Sequence, residues 1–209
     1  MAISGTSSSL RKLSNHAAQL CWNDPVTEFV YHTAMSLNGF IADEDNSLAW
    51  LFEVDGTDPE MLAGLMDRFG VQVMGSTTYA WLVEHENLVE EPEKWTGFFG
   101  DLPTKVFSSR DLPLPQGQDI EVLRGPVSQH ADELVRLAGV KDVWIVGGGD
   151  LAGQFLDAGR LDRIELDVAP AFLLGGAPVL PRILASQRLR LLLAEARGPF
   201  VLLAYEVVR

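Results

Sequence analysis

The stretch Val143–Leu156, which reads VWIVGGGDLAGQFL, decides the fold of this chain. Its four apolar residues Val143–Val146 predict a buried β-strand, and the three glycines that follow predict a turn into an amphipathic helix beginning at Asp150. Glycine lets a ligand approach the main chain closely, and the first turn of a helix presents unpaired N–H groups and a partial positive charge. The stretch therefore predicts a phosphate or nucleotide site, although a strand–glycine–helix unit can also be purely structural.

Strands and helices alternate along most of the chain. Strands are predicted at Glu28–Ala34, Val71–Met74, Lys105–Phe107, Ile120–Leu123, Val143–Val146 and Arg163–Val168. Helices are predicted at Thr57–Phe69, Thr77–Val83, Ser128–Ala138 (capped by Ser128 and ended by Gly139) and Asp150–Ala158. Two last strands, Leu189–Ala196 and Phe200–Val207, flank Arg197-Gly198-Pro199 and predict an antiparallel hairpin. This order predicts an α/β fold with three αβα layers and a mixed sheet, mostly parallel, that ends in an antiparallel C-terminal hairpin.

The composition predicts a globular protein that binds neither nucleic acid nor membranes. The chain has 209 residues, of which 47% are hydrophobic. No apolar run reaches the ~18 residues that a membrane span needs. The formal net charge of −13 disfavours anionic partners, so any phosphate site must be locally basic. Cys21 is the only cysteine, which excludes an internal disulfide, and no secretory signal is visible, so we expect a cytoplasmic protein.

The chain divides into a short extension and one domain. Residues 1–25 are Ser-rich and weakly patterned, which predicts a flexible or peripheral segment. Residues 26–209 contain neither an internal repeat nor a linker and predict a single domain. His32, His85 and His130 have neither a cysteine nor another histidine at ligand spacing, so we expect no metal site.

Three of the predicted strands end in small or hydroxyl residues that suit phosphate. The three ends are Gly75-Ser76-Thr77-Thr78, Ser108-Ser109-Arg110 and Gly147-Gly148-Gly149. In open α/β sheets, ligands bind beyond the carboxyl ends of the strands. Any one of these ends alone could be an ordinary turn, but together they predict one anion-binding edge.

In their order, these segments resemble the dihydrofolate reductase-like superfamily. The resemblance is greatest to the branch that contains the reductase domain of bacterial riboflavin biosynthesis, the RibD C-terminal domain. It rests on Ala34–Ala42 (AMSLNGFIA), Val73–Tyr79 (VMGSTTY), Val106–Arg110 (VFSSR), Ile145–Phe155 and Pro170–Pro178 (PAFLLGGAP). It covers about Phe29 to Arg209 and implies a dihydrofolate reductase-like sheet and a reductase with NADPH as hydride donor.

The resemblance also implies which residues bind the cofactor. The pyrophosphate would lie at the start of the helix opened by Gly75, Ser76, Thr77 and Thr78. The adenosine 2′-phosphate would face Ser108, Ser109 and Arg110. The other side of the phosphates would contact Gly147, Gly148, Gly149, Asp150 and Leu151. Ala34 and Ile41, on either side of the first loop, would contact the nicotinamide.

Two residues depart from the family pattern. Ser76 stands where relatives usually carry an arginine that pairs with the 2′-phosphate, and serine cannot replace that contact. Arg110 is the residue that would compensate, and NADH is the alternative donor. Asn38 stands in the first loop where aspartate is common, and it can hydrogen-bond a substrate but cannot transfer a proton.

A candidate proton donor lies on the helix after the first loop. Dihydrofolate reductases carry a carboxylate there, five residues beyond a tryptophan, and Trp50 and Asp55 have this spacing. Asp55 is thus the candidate acid, with Glu53 as a weaker rival, and Trp50 is a candidate wall of the substrate pocket. Asp55-Gly56 is also a turn signal, so Asp55 can equally be a solvated turn residue.

Several readings of the chain stay open. Gly147-x-Gly149-x-x-Ala152, followed by Asp167, also matches the dinucleotide-binding fingerprint of the Rossmann fold, but the antiparallel hairpin that follows disfavours that fold. The leading hypothesis is an NAD(P)H-dependent reductase of a small heterocyclic or imine-bearing substrate, such as a pterin or pyrimidine. The alternative is a nucleotide-binding or ligand-sensing homodimer that has lost catalysis. The apolar last strand, Val201–Tyr205, is compatible with a homodimer.

Overall fold

The predicted alternation of elements produces one large sheet in the computed structural model, which describes residues 27–56 and 64–209. The strands of this part of the chain are β1 (Phe29–Ser36), β2 (Phe40–Ala42), β3 (Phe69–Gly75), β4 (Thr104–Phe107), β5 (Ile120–Leu123), β6 (Asp142–Gly147), β7 (Arg163–Ala169), β8 (Ala177–Pro178), β9 (Leu189–Arg197) and β10 (Phe200–Val207). Eight of them form a sheet in the order β5-β4-β3-β6-β1-β7-β10-β9, while β2 and β8 pair separately.

The direction of the strands confirms the predicted mixed sheet. The six strands from β5 to β7 are parallel, whereas β10 runs antiparallel to both β7 and β9. The carboxyl ends of β4, β3, β6, β1 and β7 therefore lie along one edge, called the carboxyl edge below. The strand order of this sheet is not the Rossmann order 3-2-1-4-5-6. The glycine pattern that begins at Gly147 is therefore not the dinucleotide-binding fingerprint of a Rossmann fold.

Helices cover both faces of the sheet and confirm the three layers. They are α1 (Ala49–Phe52), α2 (Ser76–His85), α3 (Glu93–Phe99), α4 (Ala131–Ala138) and α5 (Gly149–Asp157). Residues 64–66 are also helical, but the predicted helix end at Phe69 is wrong, because residues 67–68 form a turn and Phe69 begins β3. The first part of the predicted Thr57–Phe69 helix and the predicted extension at 1–25 lie outside the described residues. None of the described helices is both long enough and apolar enough to cross a membrane.

Alternating side chains of the strands divide the core into two clusters. Tyr31 and Ile145 pack with α4 and α5 on one face of the sheet. Val30 and Trp144 pack with α2 and α3 on the opposite face, called the α2 face below. This alternation follows from the two-residue period of a strand, and it fixes which side chains can meet over each face.

Local details differ from the sequence prediction at several places. Ser128 does not cap α4, because it lies inside a 3₁₀ turn over Val127–Gln129, and α4 begins only after His130. Gly139 ends α4 with a φ of 67°, as predicted. The short elements β2, β8 and α3 were not predicted. The helix that the resemblance implies after the first loop is α1, but it ends at Phe52, so Asp55 lies in the turn that follows it.

Candidate functional site

The three predicted phosphate-binding turns lie side by side on the carboxyl edge. Gly75 at the end of β3 pairs with Phe107 at the end of β4, and Met74 pairs with Gly147 at the end of β6. Because neighbouring strands are about 4.8 Å apart, the turns after β4, β3 and β6 follow one another within about 10 Å along the edge. The structure thus brings the three turns together on one side of the molecule.

Two helices begin at these turns with N–H groups that no side chain caps. Gly75 is the N-cap of α2 and Gly148 is the N-cap of α5, and neither helix has a side-chain cap hydrogen bond. A Cβ placed on Gly75 would lie 3.6 Å from the backbone N of Gly148, so the two helix starts adjoin each other. Ser76 and Thr77 occupy the first two positions of α2. Uncapped N–H groups at paired helix N-termini suit a pyrophosphate.

A cavity of about 340 Å³ opens between the glycine turn and α2. This volume lies within the range of small-molecule sites, which is about 300–1,000 Å³. A Cβ on Gly148 would lie 3.7 Å from Cδ1 of Ile41 and 3.7 Å from Oγ1 of Thr78, so a side chain there would fill the cavity. Ile41 thus lies at the cavity, whereas Ala34, the other residue predicted to contact the nicotinamide, is not among the described residues that line it. The wall of the cavity includes Ile41, Thr77, Thr78, Trp81, Val146, Gly147, Gly148, Gly149 and Asp150.

The start of α5 is fixed by close main-chain contacts. A Cβ on Gly149 would lie 2.4 Å from the carbonyl oxygen of Pro178, so only glycine fits here. The side chain of Leu151 is buried in the core, so only its backbone N–H can hydrogen-bond a ligand at the start of α5. Hydrogen bonds from Gln154 and Arg182 hold the pKa of Asp150 below its usual value. Asp150 is therefore an anion at the helix start, and Arg182 balances its charge.

The turn after β4 forms the other end of the candidate cofactor site. The buried Ser108 hydroxyl accepts from the backbone N of Arg110 at 3.1 Å and donates to its carbonyl oxygen at 2.8 Å, so it shapes the turn. Ser109 and Arg110 are exposed. Arg124, which directly follows β5, donates to the carbonyl oxygen of Ser109 and to Asp111. Two guanidinium groups therefore flank this turn.

Sequence reasoning missed Arg124 although a signal was present. The residue directly follows the predicted strand Ile120–Leu123, which is the same kind of strand end as the three that were selected. Gly125 even follows it directly, but only the sheet order shows that β5 lies next to β4 and so brings Arg124 to the turn after β4.

The predicted substrate residue Asn38 holds the first loop against a distant segment. Its Nδ2 donates to the carbonyl oxygen of Leu173 at 2.6 Å, and its Oδ1 accepts from the Leu173 backbone N at 3.1 Å. The same Oδ1 accepts from the Ser36 hydroxyl at 2.9 Å. Both ends of the Asn38 amide are thus used in structural hydrogen bonds.

Trp50 and Asp55 lie at a second depression of about 410 Å³, which Pro170 and Pro199 also line. Asp55 is exposed, and it is not among the described residues that line the first cavity. Trp50 is half buried, and its indole Nε1 is buried with no hydrogen-bond partner among the described residues. The structure therefore does not place Asp55 beside the glycine turns, and its role as an acid stays a prediction.

A buried polar cluster lies on the α2 face between β1 and β7. The imidazole of His32 contacts Glu165 through Nδ1 at 3.0 Å and Asp167 through Nε2 at 2.9 Å. Arg68 donates two hydrogen bonds to Glu165, at 2.9 and 2.8 Å. Burial opposes protonation of His32, but the hydrogen bonds to Asp167 and Glu165 outweigh it and raise its pKa.

The same cluster holds Glu165 in its ionised form. Burial by itself favours the neutral acid, but the hydrogen bonds from His32 and Arg68 are stronger and lower the pKa of Glu165 well below its usual value. Sequence reasoning considered His32 only as a metal ligand and Asp167 only as part of the Rossmann fingerprint. It missed the cluster because its members are far apart in the chain.

Comparison with known proteins gives one family match. The sequence pattern of the RibD C-terminal domain matches residues 89–203 of this chain. The protein YwjB of Bacillus subtilis (strain 168), whose function is uncharacterized, is 26% identical over 190 residues, which are 84% of this chain and 95% of YwjB.

Solved structures confirm the predicted fold. A candidate riboflavin biosynthesis protein from Shewanella sp. PV-4 has a TM-score of 0.70 and 23% identity, over 88% of this chain and all of that chain. A pyrimidine reductase-like protein from Corynebacterium diphtheriae has a TM-score of 0.56 and 17% identity, over 88% of this chain and 92% of that chain. The Thermotoga maritima diaminohydroxyphosphoribosylaminopyrimidine deaminase/5-amino-6-(5-phosphoribosylamino)uracil reductase has a TM-score of 0.61 and 15% identity, over 87% of this chain and 56% of the enzyme.

Proposed function

This chain belongs to the RibD C-terminal domain family, and we propose that it is an NAD(P)H-dependent reductase of a small nitrogen heterocycle or imine of the pterin or pyrimidine kind. Membership in the family supports a reductase-like function. The observation that carries the proposal is the alignment of three turns, after β4, β3 and β6, on one carboxyl edge beside a cavity. We further propose that the protein works in the cytoplasm, on the evidence of its single cysteine.

Each part of the edge has a proposed role in holding the dinucleotide. The backbone N–H groups at the starts of α2 and α5 bind the pyrophosphate. Ser109, Arg110 and Arg124 bind the adenosine 2′-phosphate, which makes NADPH the proposed donor despite Ser76. Ile41 and Ala34 contact the nicotinamide, which supplies a hydride when it is bound.

Binding and turnover are measured separately to test the proposal. Calorimetry of the full chain with NADPH and NADH is expected to show binding of both, with NADPH tighter. Oxidation of NADPH is then followed by absorbance with dihydropterins and with aminopyrimidinones that carry an imine. Failure to bind either cofactor at millimolar concentration contradicts the proposed function.

The second candidate function is a nucleotide-binding protein of the same fold without catalysis. The observation that favours it is the use of the Asn38 amide in structural hydrogen bonds, since relatives commonly carry an acid there. Stoichiometric cofactor binding without turnover of any substrate supports this candidate, and measurable turnover excludes it.

We also propose that two copies associate through the hairpin at the edge of the sheet. β9 is the edge strand, and Leu191, Leu192 and Val201 of the hairpin are exposed. Exposed apolar side chains on an edge strand favour association with a second chain. Sedimentation of Leu191→Glu is expected to show a monomer, while Val140→Glu, which changes an exposed apolar residue far from the hairpin, keeps the dimer. A wild-type monomer contradicts the proposal.

A further inference from the structure

Three aromatic side chains, called the aromatic stack below, lie nearly parallel to one another beside the candidate cofactor cavity. They are Phe52 of α1 and Trp81 and His85 of α2. The indole of Trp81 and the imidazole of His85 have centroids 4.3 Å apart and planes within 14° of each other. The Phe52 ring lies 6.1 Å from Trp81 and 6.0 Å from His85, at 10° and 14°. Trp81 lines the cavity, whereas Phe52 and His85 are exposed, so the stack extends the cavity wall to the surface.

One face of the Trp81 indole is not covered by the stack. Phe52 is as close to His85 as to Trp81, so it lies beside this pair and not on the face of the indole opposite His85. The imidazole packs against a single face of the indole. Aromatic rings are stabilised by offset stacking on a second ring. The stack therefore leaves the other face of the indole for a flat ring in the cavity.

The inner end of the cavity is also aromatic. Phe99 of α3 lines the cavity, although it is nearly buried in the core of the α2 face, where the centroid of its ring lies 6.3 Å from that of Trp144. Leu82 and Val146 also line the cavity and pack against the same core. This side of the cavity therefore presents apolar side chains, which suit an uncharged ring.

The charge around the cavity disfavours an anionic substrate. Among the described residues that line it, none is a lysine, arginine or histidine, and Asp150 is the one charged residue. Arg182 directly follows Pro181, which lines the cavity, but all three of its guanidinium nitrogens donate within the chain, to Asp157, Pro181 and Asp150. A phosphate on a ring bound here would face an anion, which is unfavourable. The cofactor phosphates are a different case, because their proposed site is the N–H groups at the starts of α2 and α5.

Trp81 lies about one helical turn beyond the candidate nicotinamide position. That position is at Gly148, where an added Cβ would lie 3.7 Å from Ile41 and 3.7 Å from Thr78. Trp81 follows Thr78 by three residues of α2, or about 4.5 Å along the helix axis. Hydride transfer requires that the reacting atoms approach within about 3–3.5 Å. A substrate ring that meets the nicotinamide on this side would therefore lie against Trp81.

We propose that the substrate is a flat heterocycle without a phosphate or other anionic group, and that one face of its ring packs against the indole of Trp81. The inference rests on the proposed function, because it puts the substrate ring beside the candidate nicotinamide position. His85 and Phe52 are positioning residues, since they orient the indole but are not among the described residues that line the cavity. Trp81 thus determines specificity by recognising the flatness of the ring rather than one pattern of hydrogen bonds.

Two pterins that differ in charge test the class of substrate. 6-Hydroxymethylpterin is uncharged at neutral pH, whereas pterin-6-carboxylate is an anion with the same ring. Both are titrated calorimetrically into the full chain, with and without saturating NADP⁺, which cannot donate a hydride. Wild type is expected to bind 6-hydroxymethylpterin and to bind the carboxylate at least about 10-fold more weakly, because Asp150 repels it.

Three variants test the contact with Trp81. Trp81→Leu removes the aromatic face but keeps an apolar side chain, and it is expected to weaken binding of 6-hydroxymethylpterin about 10-fold. Trp81→Phe keeps an aromatic face and is expected to stay within about 3-fold of wild type. The matched control is Phe172→Leu, which removes a ring that is 75% exposed and is not among the described residues at the cavity, and it is expected to bind like wild type. Unchanged NADPH affinity shows that each variant is folded.

A spectroscopic measurement reports stacking independently of affinity. The ring current of an aromatic side chain shifts the ¹H signal of a proton above its face upfield. In the bound state, at saturation, the C7 proton of 6-hydroxymethylpterin is expected to shift upfield with wild type and Trp81→Phe, and less with Trp81→Leu. A residue that only maintained the fold would weaken binding without changing this shift in the bound ligand.

The outcomes separate this inference from the proposed function. No binding of 6-hydroxymethylpterin by wild type, equal binding by Trp81→Leu, or equally tight binding of the carboxylate overturns the inference, even if NADPH binds. An equal loss of NADPH affinity in Trp81→Leu places the indole against the cofactor and also overturns it. Absence of NADPH binding with the expected pterin responses contradicts the proposed cofactor and leaves Trp81 as a ring-binding residue.

Discussion

Asn38 and Leu173, which are 135 positions apart, are joined by two hydrogen bonds. The side-chain amide donates to the Leu173 carbonyl oxygen and accepts from the Leu173 N–H, so it bridges the loop after β1 and the segment after β7. The backbone adds Leu37 N to the Ala171 carbonyl oxygen at 2.8 Å. The first loop is therefore fixed by an amide, which can donate and accept at the same time.

Replacement of Asn38 by aspartate is expected to destabilise the protein. The Leu173 carbonyl oxygen loses its donor and faces an anion, which lowers the free energy of unfolding by about 1–3 kcal/mol. Urea unfolding measures the change. Asn87→Asp, at an exposed turn before Leu88, is the control and is expected to stay within about 0.5 kcal/mol of wild type. Equal stability of Asn38→Asp and wild type would show that the bridge contributes nothing.

Replacement of Gly149 by alanine is expected to damage both stability and cofactor binding. The added Cβ would lie 2.4 Å from the Pro178 carbonyl oxygen and 2.5 Å from that of Val179, and backbone atoms yield little. We expect a loss of about 1–3 kcal/mol of stability and weaker NADPH binding. Gly97→Ala in α3 is the control, since no described atom lies within 4 Å of its Cβ and helix propensity favours alanine by about 0.5–1 kcal/mol. Comparable losses in both variants would refute the close-contact argument.

Replacement of Arg124 by glutamine is expected to discriminate between the two nicotinamide cofactors. If Arg124 binds the 2′-phosphate, NADPH affinity falls about 10- to 100-fold while NADH affinity stays constant. Calorimetry with both cofactors measures this difference. Arg136→Gln, on the exposed side of α4, is the control for the change in net charge. A parallel loss of NADPH and NADH affinity would place Arg124 outside the 2′-phosphate site.

The stability of the protein is expected to depend on His32 at neutral to alkaline pH. Its pKa is raised above 6.5 in the folded state, so its contribution is complete below 6.5 and disappears as pH rises through the folded value. Each unit by which the pKa of His32 is raised corresponds to about 1.4 kcal/mol in the free energy of unfolding. Urea unfolding from about pH 6 to 9 is expected to show a decline in wild type that His32→Gln lacks.

The contribution of Glu165 to stability has the opposite pH dependence. Its pKa is lowered from 4.5, so its stabilisation is present above 4.5 and is lost only as pH falls below that value. Glu165→Gln is therefore expected to be less stable at neutral pH by about 3–5 kcal/mol, because a buried ion pair is broken. The dependence of its stability on pH between neutral and alkaline values is also expected to differ from that of wild type, because His32 loses one of its carboxylate partners. An identical slope in wild type and His32→Gln would show that His32 is not the titrating group.

Much of the fold was predictable because its signals are local. The strand Ile120–Leu123 was predicted with its observed bounds, since β-branched residues and a following Arg-Gly-Pro are visible in sequence. The hairpin of β9 and β10 was marked by Gly198, whose φ is 55°. The prediction that Ser128 caps the helix was wrong, because the choice between an α-helical and a 3₁₀ first turn depends on packing beyond the local sequence.

By itself, the sequence determined the alternation of strands and helices and the positions of the glycine turns, because periodicity and glycine act over a few neighbouring residues. The tertiary structure alone decided which side chains meet. Sheet order puts β1 between β6 and β7, so His32 meets Glu165 and Asp167 from more than 130 positions away. Sheet order likewise puts Arg124 beside Ser109. Such contacts depend on how distant strands pair, and no short segment of the chain carries that information.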